Sequence, residues 1–319
     1  MFIVTAVHNF NKFLWVLVVA LLCTNMAFAW GFWAHKKINH AAIFTLPKEL
    51  QFFYARNSAY LTQHAVDPDK KRYVDSTEAS KHYIDLENYP QELLPATKNL
   101  EEAQLKFGKE FINKNGSLPW QIALMYQKLV QAFKMKDSLA ILKLSAHIGH
   151  YIADATVPLH TTTFYDGKND QQRGIHALWE RHIPEQFGQE FKSLNQHAFY
   201  IQNLHEFTWK IIYNSHKNVG EVLNKEGELS LIFKNRKYKK IPLDENSEII
   251  YSKEFISAYH LAMNGMVSSR FNAAILDIGS IWYSAWVDAG KPNLNFGLKF
   301  TPNEEENIPE QGMIKGRHE

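Results

Sequence analysis

Helical periodicity runs through most of the chain after residue 30, and no Gly/Ser/Pro-rich linker divides residues 30–300. No internal repeat stands out, so one continuous helical domain is the simplest arrangement. Apolar spacing predicts helices at about Ala34–Phe44, Leu50–Asn57, Leu100–Asn113, Pro119–Met135, Leu139–Ala155, His176–Phe187, Leu194–Lys217 and Lys253–Asp288. The last is long and amphipathic, with Ile256, Tyr259, Met263, Met266 and Phe271 near one face. Gly265 and Gly279 offer break points within it. Strand character is confined to about Leu229–Phe233 and Lys237–Pro242, read as one hairpin or an extended pair. The expected fold class is all-α: a single multi-helix domain over 30–301, with one small β-hairpin at most.

The N-terminus reads as an address. Residues 13–22 form an apolar run behind Lys12, and Ala27-Phe28-Ala29 has the small-x-small pattern of a signal-peptidase site. The run is shorter than the ~20 residues that span a bilayer. A signal peptide over 1–29, cleaved after Ala29, implies a secreted or periplasmic protein whose mature chain begins at Trp30; an uncleaved anchor is the alternative. The single cysteine, Cys23, falls inside this segment, which leaves the mature chain neither a disulfide framework nor a thiolate metal site. The formal charge of +2 drops by one when Lys12 is removed, so no global field argues for duplex nucleic acid or an anionic membrane. Residues 302–319 turn from acidic to basic with few apolar side chains, and read as a mobile C-terminal tail.

Histidines paired with carboxylates carry the chemistry. In Ala146-His147-Ile148-Gly149-His150-Tyr151-Ile152-Ala153-Asp154, His150 and Asp154 stand four apart on a predicted helix, on one face, where they can share an ion. Pro158 should end that helix, and His160 follows directly. His176 and Glu180 repeat the four-residue device. A lone His/acid pair at this spacing is ordinarily a surface hydrogen bond, but two pairs framing Pro158-Leu159-His160 are harder to dismiss. Upstream, Asp67 in His64-Ala65-Val66-Asp67-Pro68-Asp69 and His82 in Lys81-His82-Tyr83-Ile84-Asp85 are further candidates. Each by itself would read as loop polarity. Imidazole and carboxylate without thiolate favour zinc in a catalytic setting over manganese or iron.

These residues resemble the superfamily that joins bacterial zinc-dependent phospholipases C with single-strand-specific zinc nucleases. The likeness covers Trp30 to Glu180, with ligands in the family's order: Trp30, His35, Asp67, His82, His150, Asp154, His160, His176 and Glu180. It implies an all-α enzyme with three zinc ions per chain in a metal-lined cleft. Asp67, His82, His150 and Asp154 would hold the first ion. Trp30, through its amino group and carbonyl oxygen, would hold the second with His35 and the bridging Asp154. His160, His176 and Glu180 would hold the third. A free α-amine titrates near ~8 and can act as a neutral ligand, so signal cleavage would itself create a metal site. Paired zinc ions bring the pKa of a shared water toward ~7, giving a hydroxide for in-line attack on phosphorus. Asp67 would be ligand and possible catalytic base.

The ligand pattern mixes the two branches. Trp30-Gly31, the step to His35, and His82-Tyr83-Ile84-Asp85 look like the nucleases. Glu180 as the last ligand and Thr156-Val157-Pro158-Leu159-His160-Thr161 look like the phospholipases. The partner implied is therefore a phosphodiester substrate, a phospholipid ahead of single-stranded nucleic acid. A non-catalytic zinc-binding helical protein is the third alternative. No obligate protein partner is inferred, and membrane contact enters only as a substrate surface. Tyr83 could stack on a base or pack against a lipid glycerol, with core packing the plain alternative. Asp85 could accept from a base edge or merely hold a turn. Lys70, Lys71 and Arg72 follow Asp67 closely, and one of them could neutralise a phosphate. The basic run Lys234-Asn235-Arg236-Lys237-Tyr238-Lys239-Lys240 could touch anionic lipid or single-stranded nucleic acid, or guard an exposed strand edge.

One consequence is peculiar to the proposed N-terminal ligand. A protein that begins Met-Trp30 and retains its methionine turns the ligating amine into a peptide nitrogen, a poor zinc donor at neutral pH. It should fold, yet lose one zinc in elemental analysis, whereas a correctly processed Trp30→Phe should keep its metal. Full zinc content in the methionine-extended protein would remove Trp30 from the ligand set.

Overall fold

Apolar residues at helical spacing set nearly all of the architecture in the computed structural model. It describes residues 31–294 except 91, 93, 95, 96, 193, 194, 244 and 245, and the backbone alone over 241–249. The signal-peptide reading of 1–29, the new terminus at Trp30 and the tail 302–319 lie outside the described residues. In chain order, the helices are α1 (Phe32–Ala42), α2 (Lys48–Arg56), α3 (Ser58–His64), α4 (Asp67–Lys71), α5 (Leu100–Phe107), α6 (Lys109–Asn115), α7 (Leu118–Met135) and α8 (Ser138–Ala155). There follow α9 (Ile175–Ala177), a π-helical turn at Leu178–His182, α10 (Ile183–Phe187), α11 (Leu204–His216), α12 (Val219–Phe233), α13 (Lys253–Ala262) and α14 (Met266–Asp288). Among the described residues the only sheet is the antiparallel pair β1 (Tyr238–Leu243) and β2 (Asn246–Tyr251). The fold is all-α with one small hairpin. No described helix is long and apolar enough to cross a membrane.

The helix α8 is the axis of the molecule. Asp137 caps it by accepting from the Ala140 amide at 3.0 Å, which satisfies one of the amides left without a partner in a first turn. Lys136, in the left-handed region at φ +56°, ends α7 just before it, so the two long helices fold back on each other. Ser145 on α8 then gathers two more helices. The Tyr54 hydroxyl of α2 lies 2.8 Å from its Oγ, and the Trp282 indole of α14 donates to its carbonyl at 3.1 Å. The two rings stack on each other with centroids 4.8 Å apart. Both are fully buried, and each large aromatic so placed contributes several kcal/mol of apolar burial, about 1.5–3 per side chain.

Several element boundaries differ from the sequence expectation. Gly108, at φ +88°, splits the predicted Leu100–Asn113 helix into α5 and α6. The helix expected from Leu194 begins only at Leu204, where Asn203 accepts from the Glu206 amide at 3.2 Å. Leu229–Phe233 is not a strand but the last turn of α12, so the hairpin pairs β1 with β2, Tyr238 opposite Tyr251. Gly265, at φ +79°, breaks the long C-terminal helix, whereas Gly279 stays within α14. The missing side chain at 279 is what admits a neighbour: a Cβ there would stand 1.9 Å from Thr45 Oγ1.

Gly279→Ala should therefore force α14 away from the turn at Ile43–Thr45. Urea unfolding is expected to show a loss of about 1–3 kcal/mol, the usual cost of overpacking a core. Thr45→Ala in the same protein should recover part of it.

Candidate metal centre

The side chains of the candidate centre are delivered by several local devices. The α8 helix supplies His150 and Asp154 one turn apart, and α1 supplies His35. His82 closes a short 3-10 turn at Ala79–His82, and His160 lies in another at Pro158–Thr161, the segment that Pro158 removes from α8. His176 and Glu180 straddle the junction of α9 with the π turn. All seven except His176 are buried.

Asp154 is the meeting point. Its Oδ1 faces His35 Nε2 at 3.4 Å and His160 Nδ1 at 4.0 Å, while Oδ2 faces His82 Nδ1 at 2.9 Å and His150 Nε2 at 3.3 Å. The His35 and His150 rings stack with centroids 3.8 Å apart, brought together where Gly149 lets α1 approach; a Cβ on Gly149 would lie 2.1 Å from Asn39 Oδ1. On the other side, Glu180 Oε2 lies 3.2 Å from His160 Nε2 and 3.0 Å from His176 Nε2. Three groups result whose donor atoms all fall within 4.8 Å of one another: His35, His150 and Asp154; Asp69, His82 and His150; His160, His176 and Glu180. These buried groups can hold a metal ion.

The donor chemistry fits that use. Both ring nitrogens of His35, both carboxylate oxygens of Asp69 and Oδ1 of Asp154 are buried without a hydrogen-bond partner. Leaving so many polar atoms unpaired in one place costs roughly 1–3 kcal/mol each, which a cation would offset. Backbone carbonyls fix the tautomers. His150 donates from Nδ1 to the Ala65 carbonyl at 2.9 Å, and His160 from Nδ1 to the His82 carbonyl at 2.5 Å, so both present Nε2 to the cluster. Burial, helped by the neighbouring His150, pushes the His35 imidazole down to about 4, which keeps it a neutral donor. At His150 burial opposes charge, but Asp154 and Asp69 outweigh it and hold the pKa up at about 9. A metal ion bound there would displace a proton at neutral pH. Asp154 stays ionised despite complete burial, because His150 and His160 hold it well below the usual carboxylate range.

One expected ligand is elsewhere. Asp67 opens α4, and its carboxylate accepts from His64 Nδ1 at 2.5 Å and lies 3.8 Å from His147 Nε2, away from the three groups. Asp69 takes its place, with Oδ1 at 3.7 Å from both His82 Nδ1 and His150 Nε2. Two residues apart on a helix, the acids point to opposite sides, so only one can face the cluster. Nothing in the spacing distinguishes which. His64 and His147, unassigned from sequence, are the partners that hold Asp67 back.

The substrate residues are also displaced from expectation. Tyr83 is 4% exposed and donates its hydroxyl to the Lys114 carbonyl at 3.0 Å, which places it in the packing behind His82. Asp85 is wholly buried, its amide bonded to the Asn115 carbonyl. Neither offers a face to an incoming molecule. Arg72 lies 3.6 Å from Asp69, a neighbour to the site rather than a solvated charge. Glu78, missed in the sequence, is buried 3.8 Å from His82 Nε2 and accepts from Tyr151 and Lys81, which backs the imidazole with a fixed carboxylate. Trp30 lies outside the described residues. The chain enters beside the centre, where the Gly31 amide donates to the Glu180 carbonyl at 3.2 Å. No protein-family model matches this chain, and no curated protein does.

The two acids of α4 make a clean comparison. Asp69→Asn should lower metal content by about one ion per chain, whereas Asp67→Asn should retain the full content with affinity reduced by about 10–100-fold. Elemental analysis after gel filtration reads the first, and competition with a chromophoric chelator the second. The reverse ranking would restore Asp67 as the ligand.

Proposed function

We propose that this chain is a zinc-dependent phosphodiester hydrolase of phospholipase C type, acting in the periplasm or outside the cell after processing at Ala29. The observation that carries the reading is Asp154, whose two carboxylate oxygens face separate sets of imidazoles inside a fully buried cluster. That arrangement suits a carboxylate bridging two ions. Imidazole and carboxylate donors without thiolate suit catalytic rather than structural zinc. The resemblance to zinc-dependent phospholipases C and single-strand-specific zinc nucleases supports the same division, with Asp69 in the role that the sequence suggests for Asp67.

In this reading Asp69, His82, His150 and Asp154 would hold one zinc. His35 and Asp154 would hold a second together with the amine and carbonyl of Trp30, and His160, His176 and Glu180 would hold a third. Zinc supplies Lewis-acid charge for the phosphoryl oxygens and for the nucleophile, so no Ser or Cys nucleophile is required. The protein's part is orientation. The Ala65 and His82 carbonyls lock His150 and His160, and Glu78 backs His82. His176, with 20% of its side chain accessible, marks the edge from which a substrate reaches the buried centre. The phospholipid reading gains over the nucleic-acid one because Asp85, the residue suited to accept from a base edge, is wholly buried.

The mature protein should hydrolyse bis(p-nitrophenyl) phosphate, lose that activity to a chelator and regain it with zinc. Asp154→Asn should reduce turnover at least about a hundredfold and remove more than one ion, while His176→Ala should remove chiefly one. Parallel assays on phosphatidylcholine and on single-stranded DNA and RNA assign the substrate, with faster turnover of the lipid expected. Three tightly held zinc ions with no turnover of any phosphodiester would make this a metal-storing protein instead.

A further inference from the structure

The last turn of α12 presents two adjacent aliphatic side chains to solvent, Leu231 at 75% exposure and Ile232 at 64%. Single exposed apolar residues are ordinary, and others dot this surface. This pair is set apart by the basic segment immediately after it. Lys234 turns the chain out of the helix at φ +49°, and Lys234, Arg236, Lys239 and Lys240 are all exposed. Lys237, which the sequence groups with them, is withdrawn: its ammonium lies 2.5 Å from the buried Glu226 carboxylate and donates to the Gln171 carbonyl. The nearby acid Glu228 is exposed but lies 2.9 Å from Lys225. Among the described side chains of this corner, two aliphatic knobs beside four exposed cations remain.

The aromatic rings of this corner turn inward. Tyr238 and Tyr251 meet at 5.1 Å, Tyr251 stacks on Phe255 at 5.5 Å, and the Lys237 ammonium lies within 6 Å of all three. Binding single-stranded nucleic acid draws on exposed aromatic faces on which bases can stack. Aliphatic knobs flanked by cations match the acyl boundary and anionic headgroups of a bilayer instead. The same corner leans on the metal centre. The Tyr251 hydroxyl donates to the Arg173 carbonyl at 3.1 Å, its ring lies 6.1 Å from that of His182, and the segment between them carries His176 and Glu180.

We propose that the corner between α12 and β1 is a docking surface for an anionic lipid bilayer, with Leu231 and Ile232 entering the headgroup region and Lys234, Arg236 and one of the successive strand residues Lys239 and Lys240 holding the phosphates. As a choice of substrate class it rests on the phospholipase reading; as a lipid contact it stands without it. Flotation of the mature protein with phosphatidylcholine vesicles, and with vesicles of phosphatidylcholine mixed with phosphatidylglycerol, tests it. Binding is expected on the mixed vesicles and should weaken with added salt. Lys234→Gln and Arg236→Gln should each weaken it about fivefold, and Leu231→Ser with Ile232→Ser about tenfold or more. All four side chains are exposed, so the variants should fold, and their turnover of bis(p-nitrophenyl) phosphate should match the parent. No binding to the mixed vesicles, or binding that these variants leave unchanged, overturns the docking surface. So does loss of oligouridine binding, or of self-association, in the same variants while vesicle binding persists. Docking without phosphodiester turnover in the parent overturns the hydrolase reading and leaves the surface standing.

Discussion

A single buried carboxylate organises this molecule. Asp154 sits without solvent contact among imidazoles contributed by α1, the Ala79–His82 turn, α8 itself and the Pro158–Thr161 turn. Residues 35, 82 and 150 are far apart in sequence, so their convergence has to be enforced by packing elsewhere. An isolated ionised carboxylate in such a place would be costly, and it is tolerated because every neighbour is a donor or a cation. The histidines are tolerated for the reciprocal reason.

The enforcement comes from an apolar frame on the opposite side of α8. Ser145 receives Tyr54 and Trp282, and the stacked aromatic pair locks α2 and α14 onto the helix ahead of His150. A rigid helix fixed at that end delivers His150 and Asp154 without freedom to adjust. The third group, around Glu180, is built differently. It hangs on the π turn at Leu178–His182, whose wider winding is a device often found where function displaces regular geometry. One half of the centre is therefore held by the core and the other by a short irregular segment at its rim.

Much of this was legible in the sequence. The four-residue spacing of His150 with Asp154 and of His176 with Glu180 required nothing beyond helical geometry, and the all-α fold followed from periodicity. What stayed hidden depended on facing rather than on spacing. Asp67 and Asp69 flank Pro68 symmetrically along the chain, and only the packing of α4 against His64 and His147 decides which acid turns to the cluster. Lys237 reads as one cation among five, and only the fold reveals Glu226 beneath it. Leu229–Phe233 has strand-like composition but lies in α12, where tertiary context overrides a weak local preference.

At Gly149 the Asn39 amide of α1 rests on bare α8 main chain, and Asn39 is itself tied back to the His35 carbonyl at 3.1 Å. The gap separating His35 from His150 is therefore set by a short, pinned side chain against backbone, with little rotamer freedom to widen it. The crossing point thus fixes the spacing of two of the imidazoles around Asp154. An ion bound beside Asp154 would meet donors whose separation is set by how closely two helices lie. A change in that closeness, even one made far from the cluster, would move His35 and His150 relative to each other.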